Sequence, residues 1–167
     1  AIEDAGVLTP LLEWQALKKS TKGHVVAFEY ISAAKNLLEA WKETENDEQR
    51  LELIAKVVPA LAAMHEGSVV QNDIHPENFL FRSGLIYTID GGDVTRHGKG
   101  PLGARKSLGN IALFFAQFHA RHDHLVSEWL EQYRRLRAWP VDKGRYLRLI
   151  NLIDLKRSER KKEYIRK

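Results

Sequence analysis

The chain has 167 residues, of which 44% are hydrophobic and 29% are charged, and its formal net charge is +4. This composition is too apolar for a disordered chain and is sufficient for one domain with a sizeable core. The longest apolar runs are much shorter than the roughly 18 residues that a membrane-spanning helix needs. Cysteine is absent, which excludes disulfide bonds and thiolate metal sites.

The first half of the chain predicts two strands and two helices. The strands are 11–17 and 24–30, and the helices are 36–42 and 48–66. Asn46 or Asp47 is placed to cap the longer helix, whose apolar residues recur every three or four positions, and Gly67 would end it. Pro59 lies inside that helix and predicts a kink or a weakened turn.

The second half predicts a small hairpin followed mostly by helices. Short apolar strands at 79–81 and 85–89 flank a turn at Gly84, and the glycine-rich stretch 91–103 predicts a flexible loop. Further helices are predicted at 108–119, 125–136 and 146–166. The order of the elements indicates one α+β domain dominated by helix.

Three polar side chains stand at the ends of the short apolar strands: Asp73, Asn78 and Asp90. A hairpin that folds at Gly84 would bring Asn78 and Asp90 together. Phosphoryl transfer needs a carboxylate that orients the attacking hydroxyl, and oxygen ligands that hold Mg²⁺ against nucleotide phosphates. The alternative interpretation is a turn rich in Asn, Asp and Pro that precedes a strand.

The spacing of these residues is similar to the catalytic and metal-binding loops of kinases. Asp-x-x-x-x-Asn is followed about a dozen residues later by an Asp-x-Gly at the end of a short strand. The His-Pro-x-Asn form resembles atypical kinases that phosphorylate small molecules and sugars. Within that group the chain resembles the lipopolysaccharide core kinases, which phosphorylate heptose or Kdo sugars, and residues 105–110 and the basic C-terminus support this resemblance.

The resemblance implies ATP and Mg²⁺ as cofactors and assigns a role to each residue of the motif. Asp73 would be the catalytic base, and Asn78 and Asp90 would be Mg²⁺ ligands. His75 would brace the catalytic loop, although it could also act as a general base. Asp93 is interpreted as a loop residue rather than a third acidic ligand.

The resemblance also divides the chain into parts of two kinase lobes. Residues 1–31 would be the last strands of the N-terminal lobe and the hinge, and residues 32–167 the C-terminal lobe. The hinge would be Glu29, Tyr30 and Ile31, whose backbone groups would contact adenine. A glycine-rich phosphate loop and a phosphate-binding Lys are absent before Asp73, so we expect a missing N-terminal lobe and a poorly active isolated chain.

Several residues depart from the kinase pattern. Gln71 and Asn72 replace the usual His-Arg before the catalytic Asp, so activation through a phosphorylated loop is not expected. Gly91 replaces the usual Phe after the metal-binding Asp. Ser107 stands where the sugar kinases often have an acidic residue.

The charges at the C-terminus favour an anionic partner. Residues 156–167 hold seven Lys or Arg against two Glu. Such a cluster favours a phosphorylated glycolipid, a membrane surface or nucleic acid. The resemblance to lipopolysaccharide core kinases implies the first of these: an anionic glycolipid acceptor, peripheral contact with the inner membrane of a Gram-negative bacterium, a cytoplasmic location and no nucleic-acid role. A solvated basic helix end is the structural alternative.

Two other functions stay open. The first is a small-molecule kinase of the aminoglycoside or choline kinase type, against which the basic C-terminus argues. The second is a catalytically impaired, kinase-like binding module. His119, His122 and His124 are interpreted as a polar helix end rather than a metal site.

Overall fold

The computed structural model describes the backbone of residues 2, 7–10, 12–18 and 23–166, and the side chains of residues 2, 7–10 and 29–159. Leu11, which begins the first predicted strand, and most of the basic side chains predicted to meet an anionic partner lie outside the described residues. The described elements alternate short strands and longer helices, which confirms the predicted α+β, mostly helical class.

The described strands form three small antiparallel sheets. A hairpin pairs β1 (Leu12–Lys18) with β2 (Gly23–Phe28). The second sheet has the order β3 (Lys35–Asn36), β5 (Phe79–Arg82) and β6 (Leu85–Thr88). The third pairs β4 (Val69–Gln71) with β7 (Val94–Arg96).

The helices are α1 (Leu37–Lys42), α2 (Asp47–Glu66), α3 (Ala104–Phe115), α4 (Val126–Leu136) and α5 (Lys143–Arg166). Single 3₁₀ turns occupy 76–78 and 91–93, and a longer 3₁₀ segment occupies 120–125. No helix in the described range is both long and apolar enough to cross a bilayer.

Helix α2 begins and ends where the sequence predicts and runs through Pro59 without interruption. The side chain of Asn46 accepts a hydrogen bond of 3.0 Å from the Gln49 N–H, which caps the first turn. Pro59 lacks an N–H, so the Ala55 carbonyl four residues earlier has no intrahelical donor. The Gln132 side chain on α4 donates to that carbonyl at 3.3 Å and so ties the two helices together.

An aromatic cluster forms the centre of the helical core. The ring of Phe114 on α3 packs edge-on against Phe79 at 5.6 Å and against Phe118 at 5.4 Å. It also stacks on Trp129 of α4 at 6.3 Å. Burial of apolar side chains is the main favourable term in folding, and Phe114, Phe115 and Phe118 are all buried.

Two sequence predictions about elements are wrong. Residues 91–103 are not wholly loop, because Val94–Arg96 pair with Val69–Gln71 across a long sequence separation. The helix predicted at 108–119 begins at Ala104 and ends at Phe115. Its last turn tightens into i→i+3 bonds from Gln117 to Phe114 and from Phe118 to Phe115.

Candidate functional site

The loop between β4 and β5 carries Asp73, His75 and Asn78. The Asp73 side chain is exposed, and its Oδ1 lies 2.7 Å from His75 Nε2. Because a carboxylate oxygen only accepts hydrogen bonds, this short distance is favourable when Nε2 carries the hydrogen. Asn78 is nearly buried and donates from Nδ2 to the Asp73 carbonyl at 3.0 Å. These contacts fix the loop so that the Asp73 carboxylate faces solvent.

Asp90 follows β6 and has a left-handed backbone with φ 56° and ψ 61°. A residue other than glycine rarely adopts this conformation, and such strain is often found at functional sites. The Ile89 N–H donates to the Asn78 carbonyl at 2.9 Å, which sets the residue before Asp90 directly against Asn78. The hairpin predicted to turn at Gly84 therefore brings Asn78 and Asp90 to the same end of two paired strands.

A cavity of about 790 Å³ joins the predicted hinge to the Asp90 segment. Glu29, Tyr30 and Ile31 line one side, and the segment Asp90 to Gly92 lines another. Asp73 and Asn78 do not line this cavity. The Thr88 hydroxyl belongs to its wall and is buried, yet it has no hydrogen-bond partner within the described structure. Cavities of this size hold small-molecule ligands and cofactors.

The oxygen donors at the strand ends suit Mg²⁺. Among the described residues, no three His, Cys, Asp or Glu side chains cluster as a complete metal cage. Mg²⁺ does not need one, because it usually keeps several waters and takes one or two protein oxygens together with substrate phosphates. One amide oxygen from Asn78 and the carboxylate of Asp90 therefore fit such an ion. Neither side chain offers the soft donors that zinc or copper prefers.

A series of hydrogen-bonded, buried polar side chains supports the backbone of the Asp90 segment. Gln71 donates from Nε2 to the Asp90 carbonyl at 2.9 Å and to the Ile89 carbonyl at 3.3 Å. The Gln71 carbonyl accepts from Asn110 Nδ2 at 2.8 Å. Asn110 lies on α3, so this helix supports the strained backbone of Asp90 through one intermediate residue.

The same series continues into α2 and α4. Asn110 Oδ1 lies 3.0 Å from His65 Nε2, and His65 Nδ1 lies 2.7 Å from the Tyr133 hydroxyl. Because Asn110 Oδ1 only accepts, His65 Nε2 carries the hydrogen, and Nδ1 then accepts from Tyr133. Arg137 donates to the Tyr133 oxygen at 2.6 Å. Each bond from Arg137 to Asp90 is therefore donated by the residue nearer to Arg137, and the bonds from Arg137 to the Gln71 carbonyl form one aligned series.

Burial sets the protonation states in this series. It lowers the pKa of His65 to about 4, because the apolar interior penalises the cation, and the nearby Arg137 charge acts in the same direction. Burial also raises the pKa of the Tyr133 hydroxyl. His65 is therefore neutral and Tyr133 protonated at physiological pH, as the direction of the bonds requires.

Four members of this series were not predicted from the sequence to be functional: His65, Asn110, Tyr133 and Arg137. Gln71 was predicted only to depart from the kinase pattern. The available signal was polar side chains at apolar helix positions: His65 beside Met64 in α2, and Asn110 among the buried residues of α3. The three histidines between 119 and 124 lie in the 3₁₀ segment and its cap, and His124 contacts Asp47 at 2.7 Å.

The described elements together have a kinase-like fold, in which the segment Glu29 to Ile31 and the segment Asp90 to Gly92 line one cavity. No protein-family model matches the sequence, and no curated protein sequence matches it. Among solved structures, WaaP in complex with acyl carrier protein matches with a TM-score of 0.65 and 18% sequence identity. The match covers 95% of this chain and 71% of that chain. At this level of identity the likeness establishes the fold, and WaaP is a lipopolysaccharide core kinase of the kind that the sequence motifs resemble.

Proposed function

We propose that this chain is an ATP- and Mg²⁺-dependent phosphotransferase that phosphorylates a sugar hydroxyl of the lipopolysaccharide inner core. The observation that carries the proposal is the cavity shared by Glu29–Ile31 and Asp90–Gly92, within a kinase-like fold. In this proposal the hinge contacts adenine, and the phosphates extend toward Asp90. The acceptor is an anionic glycolipid, which the protein meets in the cytoplasm at the inner membrane surface.

The two carboxylates would have different roles in phosphoryl transfer, with Asp90 binding the metal and Asp73 accepting a proton. Asp90 and Asn78 would hold Mg²⁺, which neutralises charge on the phosphates. Asp73 is exposed and so is accessible to an acceptor hydroxyl. It takes the hydroxyl proton as the acceptor oxygen bonds to the γ-phosphorus and the bond to the ADP leaving group breaks. His75 holds one carboxylate oxygen of Asp73, which leaves the other to face the acceptor.

The test measures Mg-ATP binding and phosphate transfer to a lipopolysaccharide core acceptor in parallel. Asp73→Ala should lower transfer by roughly 10²- to 10⁴-fold and leave Mg-ATP affinity nearly unchanged, because the base acts only in the chemical step. Asp90→Asn should weaken binding of ATP in the presence of Mg²⁺ by at least about tenfold. Asp154→Asn, an exposed carboxylate on α5, is the matched control and should change neither quantity.

Undiminished transfer by Asp73→Ala would remove that residue from the chemistry. Binding of ATP that does not depend on Mg²⁺ or on Asp90 would instead favour a kinase-like binding module. Transfer to cationic aminoglycosides in preference to the glycolipid would favour a small-molecule kinase.

A further inference from the structure

A second cavity, of about 530 Å³, lies at the N-terminus of α3, away from the Asp90 pocket. Ser68, the segment 97–103, Arg105 and Lys106 line it. Its wall therefore contains three cationic side chains, Lys99, Arg105 and Lys106, and no carboxylate. Within the described structure none of these three cations forms an ion pair with a carboxylate. Lys106 Nζ instead donates to His97 Nδ1 at 3.0 Å.

The backbone of α3 adds donors to this cavity. Gly103 is the N-cap and has no side chain that could accept from the first turn. The first turn of a 12-residue helix leaves N–H groups without intrahelical partners and places partial positive charge there. The N–H groups of Lys106 and Ser107 bond to the Gly103 carbonyl, which leaves those of Ala104 and Arg105 at the start of the helix for a ligand.

Ser68 gives an independent indication of a ligand. The residue is 3% exposed and lines the cavity. Its backbone bonds to His65 and His97, but its hydroxyl has no hydrogen-bond partner among the described residues. A bound oxyanion in the cavity would accept the hydrogen of the Ser68 hydroxyl.

We propose that this cavity binds a phosphate group already present on the acceptor, at a point remote from the hydroxyl that is phosphorylated. The inference rests on the proposed function, because it takes the acceptor to be a phosphorylated glycolipid. Ser68 and Asp73 are five residues apart in a stretch that includes β4, and five fully extended residues span at most about 16 Å. A separation within that limit suits an acceptor of several sugars, with one hydroxyl at Asp73 and an existing phosphate at α3.

A phosphate group fits the donors better than a carboxylate does. Lysine, arginine, a hydroxyl and two backbone N–H groups approach from several directions, which matches a tetrahedral dianion with several acceptor oxygens. The cavity would then select acceptors by their existing phosphates and orient them relative to Asp73.

The first experiment titrates the chain with inorganic phosphate alone and follows backbone amide signals by NMR. Saturable shifts should concentrate at Ser68, Ala104 and Arg105. A Lys99→Ala/Arg105→Ala double variant should bind phosphate at least about tenfold more weakly, since each lost charge-assisted bond has roughly that effect. Lys56→Ala removes an exposed cation from α2 and should bind like the unaltered chain.

The second experiment distinguishes phosphate on the acceptor from free phosphate. The KM for a lipopolysaccharide core glycolipid with its phosphates intact should be about tenfold lower than for the same glycolipid after phosphatase treatment. That difference should disappear in the double variant. Equal KM values in the unaltered chain would overturn the acceptor assignment even if inorganic phosphate binds.

The experiments distinguish failure of the phosphate site from failure of the proposed kinase function. Absence of saturable shifts at α3, together with normal transfer from Mg-ATP, would overturn the phosphate site and leave the kinase function standing. Phosphate binding at α3 in a full-length protein that transfers nothing would refute the proposed function, and with it the assignment of the phosphate to an acceptor. Equal phosphate affinity in the double variant and the unaltered chain would remove Lys99 and Arg105 from the site.

Discussion

The buried imidazole of His65 makes the stability of the fold depend on pH. Its pKa falls from 6.5 to about 4 on folding, mainly because burial penalises the cation. Between these two values the unfolded chain binds a proton that the folded chain does not. The contribution is therefore fully present above about pH 6.5, falls as the pH drops, and is lost at about pH 4.

The size of the effect follows from the shift. A difference of about 2.5 pKa units corresponds to about 3 kcal/mol over the whole range, and to about 2 kcal/mol at about pH 5. Other groups also titrate over this range, so the comparison needs a variant that lacks only this imidazole. His65→Gln keeps a polar side chain that does not titrate, and His119→Gln removes an exposed histidine as the matched control.

Urea unfolding at about pH 7 and about pH 5 measures the prediction. His65→Gln should be less stable at about pH 7 by about 1–3 kcal/mol, since Tyr133 or Asn110 loses its partner. Between the two pH values, the unaltered chain and His119→Gln should each lose about 2 kcal/mol more than His65→Gln does. Equal losses in all three proteins would show that His65 does not remain neutral in the folded chain, and would refute the directional hydrogen-bond chain.

Three further predictions concern single side chains. Gln132→Ala should lower the free energy of unfolding by about 1 kcal/mol, because it removes the bond to the Ala55 carbonyl. In a Pro59→Ala background residue 59 regains an N–H for that carbonyl, so the loss should be smaller. Additive losses in a double-mutant cycle would contradict this pairing. Asn46→Ala should cost about 1 kcal/mol in thermal or urea unfolding by removing the α2 cap, and no change would argue against that cap. Thr88→Val should raise stability by about 1 kcal/mol, because it removes a buried hydroxyl without a partner, and should weaken Mg-ATP binding measured by calorimetry; unchanged affinity would exclude a contact with that hydroxyl.

Local patterns were enough to predict the parts of the site that are close in sequence. The spacing of Asp73 and Asn78, and the turn at Gly84, predicted the loop and the hairpin, because a tight turn pairs neighbouring strands. Asn46 likewise predicted the start of a helix, because an N-cap contacts only residues within the first turn. The catalytic and metal-binding roles of these residues stay predictions.

Features that join distant segments could not be predicted in this way. β7 pairs with β4 across more than twenty residues, and the glycines around it conceal a strand of only three residues. Asn110 on α3 donates a hydrogen bond to the carbonyl of Gln71 in β4. Its position in an apolar helix face did not indicate which carbonyl would accept that bond. Such contacts depend on how the helices pack, which local propensity does not determine.

The loss of the usual His-Arg pair has a structural counterpart that explains how the Asp90 segment is ordered. Where that Arg would pair with a phosphorylated loop, Asn72 donates from Nδ2 to the Asp93 carbonyl at 3.2 Å and to the Thr95 hydroxyl at 2.9 Å. Gln71 holds the Asp90 carbonyl from the other side. Asn72 Nδ2 also donates to the Asp93 carboxylate at 3.1 Å, and none of these bonds involves an added phosphate charge. The segment after Asp90 is therefore held by Asn72 and Gln71 without a phosphate group, which accords with the expectation that activation does not use a phosphorylated loop.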